Sequence, residues 1–578
     1  MKTTPSDQQV AAIEEPGVVF VSAGAGTGKT TVLVERFVKA VCERGLGIDS
    51  VLVITYTERA AGELRTRIRE RLVELERHDL ARDLDAGWIS TIHGFCHRLL
   101  RAHPFEAGLD PRFRVLDESQ AAVLRSEAFA ESLAAYVEAG EPERVRLLAT
   151  YGAEGLRGML TSVYDRLRSA GRPLELPGEP VTSLADRVAE LREVAEITLR
   201  NTEETLPGRA QVEDALQLLE PVPAAEDLLD LSDLRVGGEE RERFASFGEA
   251  LGAVERAALD EIAARDRTLL VELLGAFDAA YAEAKARESA LDFEDLQLRA
   301  RDLLRMNEKV RDDARWRFRS ILVDEFQDTN RLQCELVDLV AGDEVFFVGD
   351  EFQSIYRFRH ADVEVFRERR AASAGVLPLT ENYRSRPEVI DVVNHLFGAE
   401  FGREYEPLVA AGRFPDPIFG PAVELLVTDK SSYREGDVHW RIAEARHVAR
   451  RVRELVDSGQ AAPGDIVLLF AAGTDAERYE EALRVEGLPT YRAAGRGYFG
   501  QQQVADLTMY LRLILNRYDD EALASVLASP FVGVSNDALY LLRRAAGKRP
   551  AETSGSYSLP NSAPKRWFTT SMTSGRER

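Results

Sequence analysis

Near the N-terminus, Ala23-Gly24-Ala25-Gly26-Thr27-Gly28-Lys29-Thr30 combines glycines, a lysine and a hydroxyl in the order that grips a phosphate chain. Small residues let backbone N–H groups close around phosphate oxygens, and a helix starting at the end of such a loop adds favourable charge. Lys29 would meet the β- and γ-phosphates, and Thr30 would offer its hydroxyl to Mg2+. The apolar run 18–22 and the helix-patterned run 30–41 supply the strand–loop–helix context that this pattern requires. A nucleoside triphosphate and Mg2+ are therefore expected. The loop alone leaves kinase, transporter, GTPase and helicase open.

Far downstream, Ser320-Ile321-Leu322-Val323-Asp324-Glu325 puts two acids at the end of an apolar strand. There Asp324 can hold the Mg2+ shell while Glu325 orients or deprotonates an attacking water. Paired acids after a strand are common as simple caps. The phosphate loop upstream favours the catalytic reading.

The elements that must position these residues follow from apolar rhythm. The first hundred residues alternate strand-like and helix-like runs (18–22, 30–41, 51–55, 60–75), the pattern of a parallel α/β sheet. Residues 95–290 turn Ala-, Leu-, Glu- and Arg-rich with helical periodicity, which predicts a helical insertion. Strand signals return at 320–323 and 345–348 to rejoin the sheet, and a second α/β pattern after 377 offers 423–427 and 466–470 as strands. Beyond about residue 544, Ser, Thr, Gly and Pro dominate, a composition that buries little apolar surface and predicts disorder.

Composition narrows the class. A chain of 578 residues with 45% hydrophobic and 30% charged content can bury several cores. Its apolar stretches fall short of the roughly 20 residues of a membrane span, and no basic-then-apolar leader opens it, so a cytoplasmic protein without membrane contact is expected. Three scattered cysteines indicate neither a disulfide framework nor a metal ligand set. A net charge of −24 argues against nonspecific basic wrapping of nucleic acid but permits a local groove.

Four further segments carry a specific resemblance. Asp324-Glu325-Phe326-Gln327-Asp328 resembles the carboxylate motif of the UvrD-like branch of superfamily 1 DNA helicases, and residues 349–359, from Gly349 to Arg359, resemble the motif that follows it. Glu381-Asn382-Tyr383-Arg384-Ser385 is similar to the segment opening that family's second lobe, and residues 6–13 to its adenine-reading segment. The resemblance implies an α/β fold of RecA-like, P-loop NTPase motor lobes with parallel sheets and a helical insertion. It implies ATP bound at residues 23–30, with Gln9 bonding the base and Tyr383 stacking on it. Gln353 would sense the γ-phosphate, and Arg359 and Arg384 would approach it. With Lys29, Asp324 and Glu325 these form the expected catalytic set, and Thr30 and Asp324 the metal ligands. Arg suits the role because its fixed fork matches developing phosphoryl charge.

Single-stranded DNA held without sequence preference needs backbone contacts and aromatic platforms. Tyr56, Tyr356 and Phe358 are candidate platforms beside the nucleotide motifs. The segment 55–61 resembles a DNA-contacting motif of the family and includes Thr57, with Glu58 replacing the usual Asn. In Ser90-Thr91-Ile92-His93, similar to the next DNA segment, Thr91 and His93 could bond phosphates; a core histidine is the competing reading. Leu291-Asp292-Phe293-Glu294-Asp295-Leu296 also matches a family segment, and equally reads as a helix cap.

Within the family, residues 90–100 and 107–118 look most like the motor subunits of AddA- or RecB-type recombination nucleases. The resemblance predicts a first motor lobe from 1–95 and 291–377, a helical insertion from 96–290, a partial second lobe from 378–520, the start of a second insertion at 521–543 and an aberrant or disordered tail at 544–578. The family's late segments, including a further γ-phosphate arginine and a nuclease domain, have no match, so truncation in the second lobe is expected. The implied function is an ATP-dependent 3′–5′ DNA helicase or translocase in repair or recombination. It would act on single-stranded and duplex DNA, and its partner would be a second recombination-nuclease subunit. The alternative is a module that binds ATP and DNA without unwinding.

Overall fold

The computed structural model describes residues 5–138, 140–175, 183–204, 206–220, 223–238, 242–355, 362–373, 375–414, 421–433, 439–492 and 502–546. Its ten strands are β1 (Val18–Ala23), β2 (Val51–Thr55), β3 (Trp88–Thr91), β4 (Arg114–Val115), β5 (Ala290–Leu291), β6 (Ser320–Val323), β7 (Val345–Gly349), β8 (Val376–Leu379), β9 (Glu381–Asn382) and β10 (Val409–Ala410). Two compact units divide the chain, 1–415 and 416–578.

The first unit is built on a six-stranded sheet in the order β3-β2-β6-β7-β1-β8, with every neighbouring pair parallel. β2, β6 and β7 are buried at every residue, as unbroken apolar runs must be when helices cover both faces. Side chains alternate between two cores. Phe20, Leu52, Ile54, Ile321, Val323 and Phe347 face one, and Val19, Val21, Val51, Val53, Leu322 and Phe346 the other. The phosphate loop, Asp324, Asp350, Tyr56 and Ile92 thus all follow carboxyl ends of parallel strands, along one edge of the sheet.

The insertion carries its own cores. Phe129, Leu147, Leu160 and Tyr164 pack on Leu273, Phe277 and Tyr281, and a second cluster joins Leu184–Asn201 to the start of the long helix Ala245–Arg287. That 43-residue helix spans roughly 65 Å at the α-helical rise. Its return to the sheet is clipped by the ladder Arg114↔Ala290 and Val115↔Leu291. Beside the ladder, buried Lys285 pairs with Asp292 at 2.9 Å and with Asp295 at 2.5 Å, while Arg168 also reaches Asp295.

In the second unit, Trp440–Asp457 packs on Ala476–Val485 through Ala445, Ala449, Tyr479 and Ala482, and three further helices follow at Gln502–Leu515, Asp520–Ala528 and Asn536–Ala546. The expected strands at 423–427 and 466–470 do not form: both segments lack ladder pairing, and Leu425 and Leu469 are 89% and 90% exposed. Their apolar pattern favours extended backbone, but a strand exists only against a partner. Residues 547–578, the bulk of the expected tail, lie outside the described residues. No helix among the described residues is long and apolar enough to cross a membrane.

Candidate functional site

The phosphate loop joins β1 to the helix Lys29–Cys42 through Gly26 and Gly28, both left-handed (φ 68° and 87°), a conformation that side chains resist. Thr27 is buried and its hydroxyl donates to the Gly24 carbonyl at 2.8 Å. The helix Asp7–Glu14 braces the loop through Gln9, whose Nε2 donates to the Thr27 carbonyl at 2.9 Å. The same amide's oxygen accepts from Ser6 N, closing a capping box. Gln9 is 7% exposed and braces the loop that would hold the phosphates. The sequence pattern placed Gln9 near the site, but its orientation is set by the cap.

The segment after β8 closes over the loop. Asn382, buried, donates to the Ala25 carbonyl and accepts from the backbone N–H groups of Arg384 and Ser385. Tyr383 N donates to the Gly26 carbonyl at 2.9 Å, and its hydroxyl donates to Glu381 at 2.6 Å. A Cβ on Gly26 would lie 2.6 Å from Arg384 Cβ, so the missing side chain lets Arg384 approach. Asn382 was not singled out from sequence, because its partners are backbone atoms brought close only by folding.

Across the cleft, Lys29 Nζ pairs with Glu325 Oε2 at 2.9 Å. Glu325 sits at φ 48°, ψ 46°, a left-handed position rare outside glycine, which turns its carboxylate off the strand line. Burial would raise its pKa, but Lys29's charge and a hydrogen bond from Gln327 hold it below the ordinary value. Asp324 is pushed the other way, to about 7, by burial and by Glu325's charge. Asp324 follows β6 and Thr30 lies in the first turn of the helix after the phosphate loop, and a carboxylate and a hydroxyl are hard-oxygen donors of the kind that suit Mg2+, which takes few protein ligands and keeps water. Gln353 donates to Asp350 Oδ2 at 2.5 Å and stands at the end of β7, beside this pair in the sheet order.

A cavity of about 560 Å3 adjoins the carboxylates, lined by Tyr56, His93 and Phe293 together with Asp324, Glu325 and Asp328. His93 is held neutral, its pKa lowered to about 4 by burial, and its Nε2 lies 3.0 Å from Gln297 Nε2. It therefore offers a ring and no positive charge to the cavity that it lines. Phe293, 46% exposed, meets the His93 ring edge-on at 5.3 Å and adds an aromatic face that sequence reasoning left unassigned. Thr91 is buried, accepting from Gly94 N and donating to Glu58 Oε1 at 2.7 Å. Its hydroxyl is thus already engaged, by the acid that replaces the family's usual Asn. Thr57 is exposed and caps the helix Glu58–Glu74. Tyr356, Phe358 and Arg359 lie outside the described residues.

A glycine-rich loop opposed by two carboxylates at the carboxyl edge of a parallel sheet defines a P-loop NTPase lobe. Residues 4–372 match the UvrD/REP helicase N-terminal domain and residues 377–549 the UvrD-like helicase C-terminal domain, and the chain belongs to this helicase family. It is similar to proteins named as one subunit of an ATP-dependent helicase/nuclease. Identity is 27% with that of Listeria welshimeri (95% of this chain, 54% of the relative), 29% with Bacillus licheniformis (95% and 54%) and 31% with Desulforudis audaxviator (91% and 53%). The chain spans about half the length of these relatives.

Proposed function

We propose that the chain is an ATP-hydrolysing DNA motor, a helicase or translocase of 3′–5′ polarity acting in repair or recombination in the cytoplasm. The observation that carries this reading is the shared cavity: aromatic faces that can stack on bases open onto the same space as the carboxylates that would act on ATP. Lys29 binds the β- and γ-phosphates, which compete with Glu325 for its ammonium. Glu325, released from that pair and kept ionised, accepts a proton from the attacking water. Mg2+, held by Thr30 and Asp324, would offset phosphate charge. Arg384 and Arg359 face the transferring phosphoryl group, Gln353 reports its presence, Gln9 bonds the base and Tyr383 stacks on adenine. Tyr56, Thr57, Thr91, His93, Tyr356 and Phe358 form the DNA track, with Phe293 beside His93.

The domain assignment goes with this reading: a first lobe from 1–95 and 291–377, an insertion at 96–290, a second lobe at 378–520 and the start of another insertion at 521–543. Because the relatives are named as one subunit of a helicase/nuclease, a second subunit is the natural partner. Steady-state ATP hydrolysis with and without single-stranded DNA tests the reading. DNA-stimulated turnover, lost in Glu325→Gln, is expected. Nucleotide binding without stimulation would instead make the chain a binding module.

A further inference from the structure

We infer that Gln327 is a positioning residue that joins the general-base carboxylate to the loop 349–354, so that DNA engagement at that loop reaches the hydrolytic step. The inference rests on the proposed motor function.

Gln327 is 2% exposed and makes no contact that requires it to touch substrate. Its Nε2 donates to Glu325 Oε2 at 2.9 Å and lies 3.5 Å from Asp328 Oδ2. Its Oε1 accepts from Asp350 N at 2.9 Å, and its backbone carbonyl accepts from Ser354 Oγ at 3.1 Å. Asp350 in turn accepts from Phe352 N at 3.1 Å and from Gln353 Nε2 at 2.5 Å. One amide therefore stands between Glu325 and the residue that fixes Gln353. Gly349 makes this possible, since a Cβ there would lie 2.5 Å from Gln327 Oε1.

The chemistry demands an amide. A carboxylate partner needs a donor, a backbone N–H needs an acceptor, and Gln offers both at this length. Glu325 Oε2 has two donors, Lys29 and Gln327. When phosphates draw Lys29 away, Gln327 alone fixes the carboxylate, whose left-handed backbone gives it no support from a regular strand. A shift of the loop that moved Asp350 N would then move the amide and re-aim Glu325.

Two substitutions separate the two bonds. Gln327→Glu keeps an acceptor for Asp350 N and removes the donor to Glu325; Gln327→Met removes both at similar volume. ATP KM and kcat are measured without and with saturating oligo-dT, beside thermal melts. Both variants should lower kcat about tenfold or more while KM stays within about threefold, because positioning of a reacting group is lost and binding is not. Because either substitution cuts the path between Glu325 and Asp350, the ratio of DNA-stimulated to basal kcat should fall towards one in both. Wild-type kcat, or a wild-type stimulation ratio, in either variant would overturn the inference. Parallel loss of melting temperature and ATP affinity would also overturn it by making Gln327 a residue of the fold. A wild-type chain with no DNA stimulation would sink the proposed function itself, a result distinct from unaffected variants in a stimulated enzyme.

Discussion

Lys29 and Glu325 neutralise one another across the cleft at 2.9 Å, yet they serve different halves of the proposed reaction. Removing the ammonium takes away the charge that meets the phosphates, and Glu325 then faces them unopposed. Lys29→Ala should weaken ATP binding by about 100-fold or more, since a charge-assisted contact is lost and a repulsion added. Glu325→Gln should bind ATP at least as tightly as wild type while losing turnover. Titration with a fluorescent ATP analogue separates the two, and unchanged affinity in Lys29→Ala would refute the phosphate-loop assignment. These residues were legible in the sequence because their spacing is fixed by a few consecutive backbone conformations. Gln9, Thr91 and His93 were legible only as neighbours of the site. Which way each side chain turns was decided by partners distant in sequence: the Thr27 carbonyl, Glu58 and Gln297.

At the scale of elements, the helix Phe293–Met306 shows how a cap arranges a cavity wall. Asp292 and Asp295 close a capping box that presents Phe293 and Glu294 at the first turn. Two acids of this turn are tuned in opposite directions. Burial would raise Asp292, but Lys285 and Arg168 overcome it and hold its pKa at about 2; burial pushes Glu294 to about 7, with Asp292's charge adding to the rise. The folded state thus binds Glu294's proton more tightly than the unfolded chain does. Its contribution to stability is present below the ordinary carboxylate value and lost as pH rises through 7, whereas that of Asp292 is lost on acidification towards 2. Between pH 5 and 8, Glu294→Gln should therefore lose less stability than wild type, by on the order of 1–3 kcal/mol. Urea melts across that range check this, and parallel curves for the two proteins would refute it. The apolar runs revealed the central strands because both sheet faces are covered. The ladders β4–β5 and β9–β10 are too short to leave a pattern, and 423–427 and 466–470 have strand composition without pairing.

For the whole molecule, the division at residue 415 makes a prediction about where nucleotide binding resides. The first unit supplies Gln9, Glu325, Leu379, Asn382 and Tyr383 to the phosphate loop by hydrogen bond or ion pair, with Arg384 against Gly26 and Leu408 against Gly24. The boundary read from sequence, at 377, would remove part of this set. Gln8 would lose Thr380, which exchanges two hydrogen bonds with its amide, and β8 would be shortened at the sheet edge beside β1. A fragment of residues 1–415 should fold alone and bind ATP within about threefold of the full chain, as a unit with its own core does. A fragment of residues 1–377 should bind about tenfold more weakly, or melt earlier, because Asn382 and Tyr383 no longer tie the Ala25 and Gly26 carbonyls. Binding titrations and melts of the two fragments decide the matter. Equal affinities would mean that the segment after β8 contributes nothing to the cradle, and loss of binding in both would mean that residues beyond 415 complete it.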